Sequence, residues 1–436
     1  MTLGAIEEKS TPFALSLQEL LPTGLPKDQL HLLRSQAKRK FEELGLPDRK
    51  DDAFQYFPLR SFYQDRLTIS KASSIVDEEI IQQHLAPECL GSCIVFVDGH
   101  FRPELSIVDV LDPKVSILSL EEAMKTFSHF LNARISKQIK EEKDPFALLN
   151  MAFHPKGAFL YIPPKLVLEQ PIQILHVRTQ EGALIAPRLH VFVGAHAEGK
   201  IYSTTCACKW QEGLALTLAD VALEEGARLD ILATVCTRSR GWSMEYVRGS
   251  LKKDSFLGIH QVTKNAVGFR KDVKVDLLGE NASTEVNGLA LLFGQEQTHM
   301  HVVVNHEAPH THSSQQFKGV LGGHSQSSFE GKIVVQRAAQ KTQAYQLCNH
   351  LLLGERAIAN CKPNLEIFAD DVKASHGATV VQLKERDLFY LKSRGIGNKD
   401  AKNLLIEGFC QGIVGKLFLS SLKEELSDFI RNYAQI

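Results

Sequence analysis

The strongest constraint on the fold is a long central stretch, Gly157 to Val381, that predicts short strands and no long helix. Apolar and polar residues alternate there in short runs, and turn residues separate the runs. A stretch of this length built from short strands is compatible with a sandwich, a barrel, a propeller or a β-solenoid. A turn followed by a strand recurs, as in 195–201 and 224–231, and this favours the solenoid, although the period is irregular.

Helical patterns precede the central stretch. Apolar residues recur at every third or fourth position from Lys27 to Gly45 and again over 120–150, which is typical of helices with one buried face. Between these two segments, Asp98 and Gly99 interrupt an apolar run and predict a tight hairpin turn.

The C-terminal part also predicts helices. One apolar face runs from Ala401 to Leu417, and a last helix carries apolar residues as far as Tyr433. Helices at the end of a solenoid either cap it or form a docking surface for a partner.

We therefore expect three units. Residues 1–155 form a helical or mixed N-terminal region, residues 156–383 form the strand core, and residues 384–436 form a helical C-terminal region.

Composition argues against two classes of partner. The 50 basic and 51 acidic residues leave a formal charge of −1, so there is no electrostatic basis for binding nucleic acid. No apolar run approaches the roughly 18 residues of a membrane helix, and residues 1–9 resemble neither a secretory signal nor a transit peptide. The eight cysteines are dispersed, without a Cys-x-x-Cys pair, so we expect reduced thiols and a cytoplasmic location.

Two groups of residues suggest metal ligands, but their spacing favours a structural role. His299 and His301 share one face of a predicted strand, and a second histidine pair follows at 310 and 312. A tight metal site needs three or four converging ligands with orienting neighbours, so polar positions on a sheet are the favoured interpretation. Cys206 and Cys208 also share a face and are expected to be small buried residues.

Motifs of common enzyme classes are missing. The chain has no phosphate-binding loop, no dinucleotide-binding glycine motif and no nucleophile elbow. Asp370 and Asp371 are adjacent, so in a strand they face opposite sides and cannot act as a paired acid and base. We expect a protein that is not an enzyme by itself.

The segment from Asn364 to Thr379 combines a strand pattern with a possible metal ligand. Its apolar alternation ends in the two aspartates and continues into Ser375, His376 and Gly377. A neutral imidazole binds borderline transition metals. His376 is therefore the candidate ligand of this segment.

Several phrases of the C-terminal third resemble the SufB/SufD family of iron–sulfur cluster assembly scaffolds, and within it the SufD branch. The most specific phrases are KPNLEIFADDVKASHGAT at 362–379 and LFYLKSRGI at 388–396, supported by FKGVL at 317–321, FEGKIVV at 329–335, QKTQAYQ at 340–346 and NHLLL at 349–353.

This resemblance implies a mainly β fold, with a right-handed parallel β-helix core between N-terminal and C-terminal helical regions. It also implies a heterodimer with a SufB-like subunit and docking of a SufC-like ABC ATPase through the C-terminal helices. The candidate partner-binding residues there are Arg394, Leu405, Phe409, Ile413 and Leu417. The nascent iron–sulfur cluster is then a transient cofactor, shared with the partner subunit at the interface, with His376 as a ligand.

Two departures from the family pattern matter. SufD relatives often carry Cys two residues before the histidine, where this chain has Ala374, and SufB relatives carry Cys where this chain has Leu391. The second departure favours SufD, and the first implies that the sulfur ligand comes from the partner. The alternatives are a SufB-type homodimeric scaffold and a β-helix enzyme acting on polysaccharide with Asp370, Asp371 and Arg394.

Overall fold

The computed structural model describes residues 11–23, 25, 28–72, 75–207, 212–235 and 241–433. Ten helices occur among these residues: α1 Pro12–Thr23, α2 His31–Leu44, α3 Leu59–Phe62, α4 Glu78–Gln83, α5 Leu120–Thr126, α6 Ser128–Glu141, α7 Pro145–Phe153, α8 Glu385–Ser393, α9 Asn398–Val414 and α10 Ser420–Tyr433.

The described residues also form 21 strands: β1 Thr68–Ile69, β2 Cys93–Val97, β3 His100–Phe101, β4 Ser116–Ser119, β5 Ala158–Ile162, β6 Ile172–Arg178, β7 Ala183–Ile185, β8 Arg188–Val193, β9 Glu198–Ala207, β10 Gly213–Leu223, β11 Arg228–Val235, β12 Trp242–Leu251, β13 Phe256–Lys264, β14 Gly268–Leu277, β15 Ser283–Leu292, β16 Gln297–His306, β17 His312–Leu321, β18 Gln326–Val335, β19 Thr342–Leu352, β20 Ile358–Ile367 and β21 Val372–Gln382.

The strands coil into a parallel β-helix with two long sheets. From β8 onward the chain alternates between the sheets: even-numbered strands extend the first sheet as far as β20, and odd-numbered strands extend the second as far as β21. Every neighbouring pair along these two series is parallel and in register. The predicted β-helix between helical regions is therefore confirmed.

A continuous apolar core fills the space between the two sheets. Alternate residues of each strand point inward, so Val273 and Val275 of one turn stack below Val302 and Val304 of the next. Near the C-terminal end, the rings of Phe317 and Phe329 stack across the interior with centroids 4.4 Å apart.

The N-terminal helices cover the outer face of the first sheet. Trp242 of β12 packs against Phe57 and Phe62, with ring centroids 4.8 and 5.8 Å apart. The predicted helices over 27–45 and 120–150 correspond to α2 and to α5–α7. The predicted hairpin is also confirmed: β2 and β3 pair antiparallel around Asp98 and Gly99, both with positive φ.

The C-terminal helices lie along the outer face of the second sheet. Ile413 of α9 and Leu426 of α10 join a cluster with outward residues of the odd-numbered strands, among them Leu289 and Val320. Of the two roles considered for these helices, a cap across the solenoid end does not match this placement. The division at residues 155/156 and 383/384 stays a prediction.

In the part of the chain that the structure describes, no helix has both the length and the apolar character needed to cross a bilayer.

The open end of the β-helix as candidate functional site

The last turn of the β-helix ends in two strands with one neighbour each. Among the described strands, β20 pairs only with β18 and β21 only with β19, so each has an unpaired edge. We call β20, β21 and the connecting residues 368–371 the terminal edge. Large apolar side chains are exposed on it and on neighbouring β19: Leu347, Ile358, Ile367, Phe368, Val380 and Val381.

His376 lies in the middle of β21 and is exposed. In the parallel register it aligns with Gln346 of β19, which is buried and points toward the interior. Because aligned residues of parallel strands point the same way, His376 is on the interior side of the last turn. It is exposed because no described strand covers that side. The predicted ligand is thus an accessible imidazole, and its role as ligand stays a prediction.

Asp370 and Asp371 occupy the turn between β20 and β21 and are exposed. The backbone N–H of Asp371 donates to Gln340 Oε1 at 2.9 Å, and its carbonyl accepts from the N–H of Lys341 at 2.6 Å. These backbone contacts give Asp371 a structural place in the turn.

Three ligand-type side chains meet just inside the terminal edge. Cys348 and His350 are on the inward face of β19, and Cys361 is on the inward face of β20. Cys348 Sγ is 3.0 Å from Cys361 Sγ, and His350 Nδ1 is 3.3 Å from Cys361 Sγ and 3.5 Å from Cys348 Sγ. Among the described residues this is the one group of three such ligands within mutual reach.

The two thiols of this cluster are not equivalent. The Cys348 thiol donates to the Cys361 sulfur, and this hydrogen bond, helped by His350, lowers the pKa of Cys361 to about 5. The same interaction and burial raise the pKa of Cys348 well above its usual range. The contact therefore favours ionisation of Cys361 over ionisation of Cys348, and the thiolate is the form of cysteine that binds metals.

The sequence did not predict this cluster. Position 374 lacks a thiol as noted, and the expectation that the sulfur ligand beside His376 comes from the partner stays a prediction. Cys361 is a different sulfur of this subunit, on the inward face of β20. Two of the cluster's three members could have been grouped from the sequence, because Cys348 and His350 are two residues apart and so share a strand face. Cys361 could not be added from spacing, because it belongs to the opposite sheet.

The histidine-rich segment has structural partners. His299 is buried beneath Phe57, with Nδ1 2.8 Å from Ser328 Oγ. His301 Nδ1 is 2.6 Å from Asp272 Oδ2. The structural interpretation is supported, but His299 is under the N-terminal region instead of on a solvated face. Cys206 is buried, whereas its predicted neighbour at position 208 lies outside the described residues.

The residues predicted to bind the ATPase differ in accessibility. Arg394 is exposed, and its guanidinium lies 5.0 Å from the centroid of the Tyr390 ring. Leu405 and Phe409 are half-buried, whereas Ile413 and Leu417 are buried against the second sheet.

Burial places a limit on this prediction, because a partner could contact Ile413 or Leu417 only if α9 and the residues that follow it moved away from the sheet. The sequence missed the apolar residues that are exposed on these helices, namely Phe389, Tyr390 and Leu404. The partner-binding role of the region stays a prediction.

Family models match nearly the whole chain. The core-domain model of SUF system iron–sulfur cluster assembly proteins, SufBD, matches residues 176–409, and the model of the SufBD N-terminal region matches residues 25–174. An iron–sulfur cluster assembly SufBD family protein of Synechocystis sp. is 30% identical over 398 residues, covering 88% of this chain and 86% of that protein.

Two further relatives cover both chains almost completely. The iron–sulfur cluster assembly protein SufD of Escherichia coli is 25% identical over 398 residues, 90% of each chain. The chloroplastic protein ABCI7 of Arabidopsis thaliana is 28% identical over 453 residues, 98% of this chain and 91% of that protein. The β-helix with its two helical flanks, the family-model matches and these relatives together identify the chain as a member of the SufBD family of iron–sulfur cluster assembly proteins and a homologue of SufD.

Proposed function

We propose that this protein is a SufD-like, non-catalytic scaffold subunit of a SUF-type assembly complex. It pairs with a SufB-like subunit at the terminal edge, contributes His376 to a nascent cluster shared transiently with that subunit, and docks a SufC-like ATPase through its C-terminal helices. The observation that carries the proposal is an unpaired β-helix end that exposes an imidazole on its interior side.

The unpaired edge supports pairing with another sheet-forming protein. Exposed strand edges carry free N–H and C=O groups, and soluble proteins usually cover or blunt them. Here two adjacent edges coincide with exposed apolar residues such as Phe368 and Val381. A second β-helix end would satisfy the backbone groups of both sheets and bury these side chains.

A single imidazole supports transient cluster binding. Clusters are normally held by thiolates, so one exposed histidine would hold a cluster weakly and the partner would supply sulfur ligands. Such a mixed site suits a scaffold that releases its product.

The helical region supports docking of a second partner. Helix α8 has no buried residue and exposes Phe389 and Tyr390, and α9 exposes Leu404. An apolar surface of this kind on a helix that is not packed into the core is typical of a helix-recognition site.

The test of the cluster site compares His376→Ala with His324→Ala in the complex co-expressed with SufB-like and SufC-like partners. Both histidines are exposed, but His324 lies in the turn between β17 and β18. After anaerobic reconstitution, we expect His376→Ala to assemble normally and to lose most of the cluster absorbance per complex, while His324→Ala matches the wild type. Equal cluster content in the two variants would exclude a ligand role for His376.

The two interfaces are tested by co-purification. Phe368→Asp should release the SufB-like subunit, and Phe389→Asp should release the ATPase, because each places a charge in an apolar contact. Leu32→Asp is the control, since Leu32 is 76% exposed, close to the 72% of Phe389, and lies on distant α2. Full recovery of both partners with the Asp variants would contradict the proposed surfaces.

The same free edge also fits the second candidate, a SufB-type homodimeric scaffold. A two-fold axis through the terminal edge would pair each strand edge with its own copy. The mass of the purified chain in solution separates the two: a monomer that dimerises only with a SufB-like subunit supports the heterodimer, and a stable homodimer that Phe368→Asp dissociates supports the alternative.

A further inference from the structure

The Cys348–His350–Cys361 cluster has the composition of a metal site with one open position. Two thiols and one imidazole on a tetrahedral ion leave a fourth position for water or a further ligand. This is separate from His376, which is on β21, whereas the three cluster residues are on β19 and β20.

The imidazole is oriented from its other side. When Nε2 of His350 carries the proton, it donates to Ser327 Oγ at 3.0 Å, and Nδ1, which lies 3.3 and 3.5 Å from the two sulfurs, is then unprotonated and able to coordinate an ion. A hydrogen bond on the distal nitrogen is the usual means by which proteins set the tautomer and ring orientation of a metal-binding histidine. His350 and Ser327 are both buried, so this arrangement is not an accident of surface side chains.

The spacing of the three atoms requires only a small expansion. Metal–sulfur bonds of about 2.3 Å and metal–nitrogen bonds of about 2.0 Å at tetrahedral angles separate the sulfurs by about 3.8 Å and each sulfur from nitrogen by about 3.6 Å. The nitrogen distances of 3.3 and 3.5 Å are already near this value, and the sulfurs, at 3.0 Å, must separate. Because β20 has a neighbouring strand on one side only, Cys361 can move outward without breaking hydrogen bonds to a second strand.

Access and charge also fit a cation. Cys361 is partly exposed, whereas Cys348 is fully buried, so an ion reaches the cluster from the open end. When they coordinate as thiolates, the two sulfurs supply negative charge to the ion, and their neighbours in register are the apolar rings of Phe317 and Phe329.

We propose that Cys348, His350 and Cys361 bind one thiophilic divalent transition-metal ion within this subunit. Thiolate and not thiol is the form that coordinates a metal, so any proton held by either sulfur is released when the ion binds. The proposal needs neither a partner subunit nor His376.

The test is anaerobic titration of the reduced, metal-free full chain with Co²⁺, which reports ligands through its spectrum. We expect one ion per chain, intense d–d bands of a tetrahedral site and a thiolate-to-cobalt charge-transfer band. Cys361→Ala should abolish the charge-transfer band, and Ser327→Ala, which removes only the partner of Nε2, should weaken binding by about tenfold or more.

Matched variants separate this site from other thiols and from the proposed function. Cys206→Ala, which removes a buried cysteine of β9, and His376→Ala should both keep the wild-type cobalt spectrum. A charge-transfer band that survives Cys361→Ala, or one that is never seen in the wild type, would overturn the proposal. Thermal unfolding of each metal-free variant confirms that the fold is retained, and loss of cluster assembly in His376→Ala alone would leave this result unaffected.

Discussion

Single residues at the terminal edge decide which ligands this subunit presents. Ala374 and His376 are two residues apart on β21 and therefore share its interior side. Ala374 is half-buried beside Ala344 of β19, its partner in register. A thiol at position 374 would add a second ligand next to the imidazole, and its absence leaves His376 as the one ligand-type side chain on the interior side of β21.

Introducing a thiol at position 374 tests whether this residue faces the cluster. In the co-expressed complex, we expect Ala374→Cys to slow removal of the cluster by a chelator several-fold, because two ligands from one strand must dissociate together. Ala374→Ser is the control, since its hydroxyl has nearly the same size and is a poor ligand for iron. The measurement is the decay of cluster absorbance after chelator addition. Identical decay in the Cys and Ser variants would show that position 374 does not face the cluster.

At the scale of elements, the N-terminal helices are joined to the β-helix by a buried ionic contact as well as by aromatic packing. Arg248 of β12 donates from Nε to Glu142 Oε2 at 2.7 Å and from Nη1 to Asp272 Oδ1 at 2.7 Å. Glu142 follows α6, and Asp272 is on β14. All three side chains are buried, so the charge of Glu142 is compensated by Arg248, whereas Asp272 also pairs with Arg270 at 3.1 Å.

Removing the arginine should therefore be costly. We expect Arg248→Ala to lower the free energy of unfolding by about 3–5 kcal/mol, because it leaves the buried Glu142 carboxylate without its cation and Asp272 with Arg270 as its remaining arginine partner. Lys137→Ala is the control: Lys137 is paired with Glu141 on the same α6, but both are exposed, so its loss should cost less than about 0.5 kcal/mol. Denaturant unfolding of the three proteins measures both values, and similar small losses would mean that the buried contact adds little.

At the scale of the whole molecule, buried neutral histidines make stability depend on pH. Burial lowers the pKa of His176, His299 and His306 to about 3 and that of His190 to about 4. In the unfolded chain histidine has a pKa of about 6.5. As pH falls from about 6.5 toward 4, the unfolded chain takes up protons that the folded protein does not, so stability falls with pH. Asp144 acts in the opposite direction, since burial raises its pKa to about 6, and burial also raises the pKa of Asp65 and Glu307. Burial lowers the pKa of two further histidines, His100 and His154, and so adds to the effect of the first four.

We therefore expect a clear decrease in the melting temperature between pH 7 and pH 5. Replacing one buried histidine, as in His306→Gln, should flatten this dependence, because it removes one group whose pKa burial lowers. Differential scanning fluorimetry at closely spaced pH values measures the slope. A melting temperature that is constant from pH 7 to pH 5 would contradict the assignment of these histidines as neutral.

The sequence determined the class of fold because strand alternation and helical periodicity are local properties of the chain. It did not reveal the repeat, because the turns differ in length. The aligned positions Leu218, Tyr246, Asp272, His301, Glu330 and Lys362 are separated by 28, 26, 29, 29 and 32 residues.

The choice of His376 as candidate ligand followed from the sequence, because an imidazole beside Gly377 in a strand pattern is a local feature of the chain. Its exposure did not, since exposure depends on which strands cover the last turn. Tertiary structure alone decided which residues meet across the two sheets and which helix faces are covered. The placement of α9 along the second sheet buries Ile413 and Leu417, and the crossing from β19 to β20 brings Cys361 to Cys348 and His350. Such contacts depend on how successive turns of the β-helix stack. No local sequence pattern specifies the distance between residues on different strands.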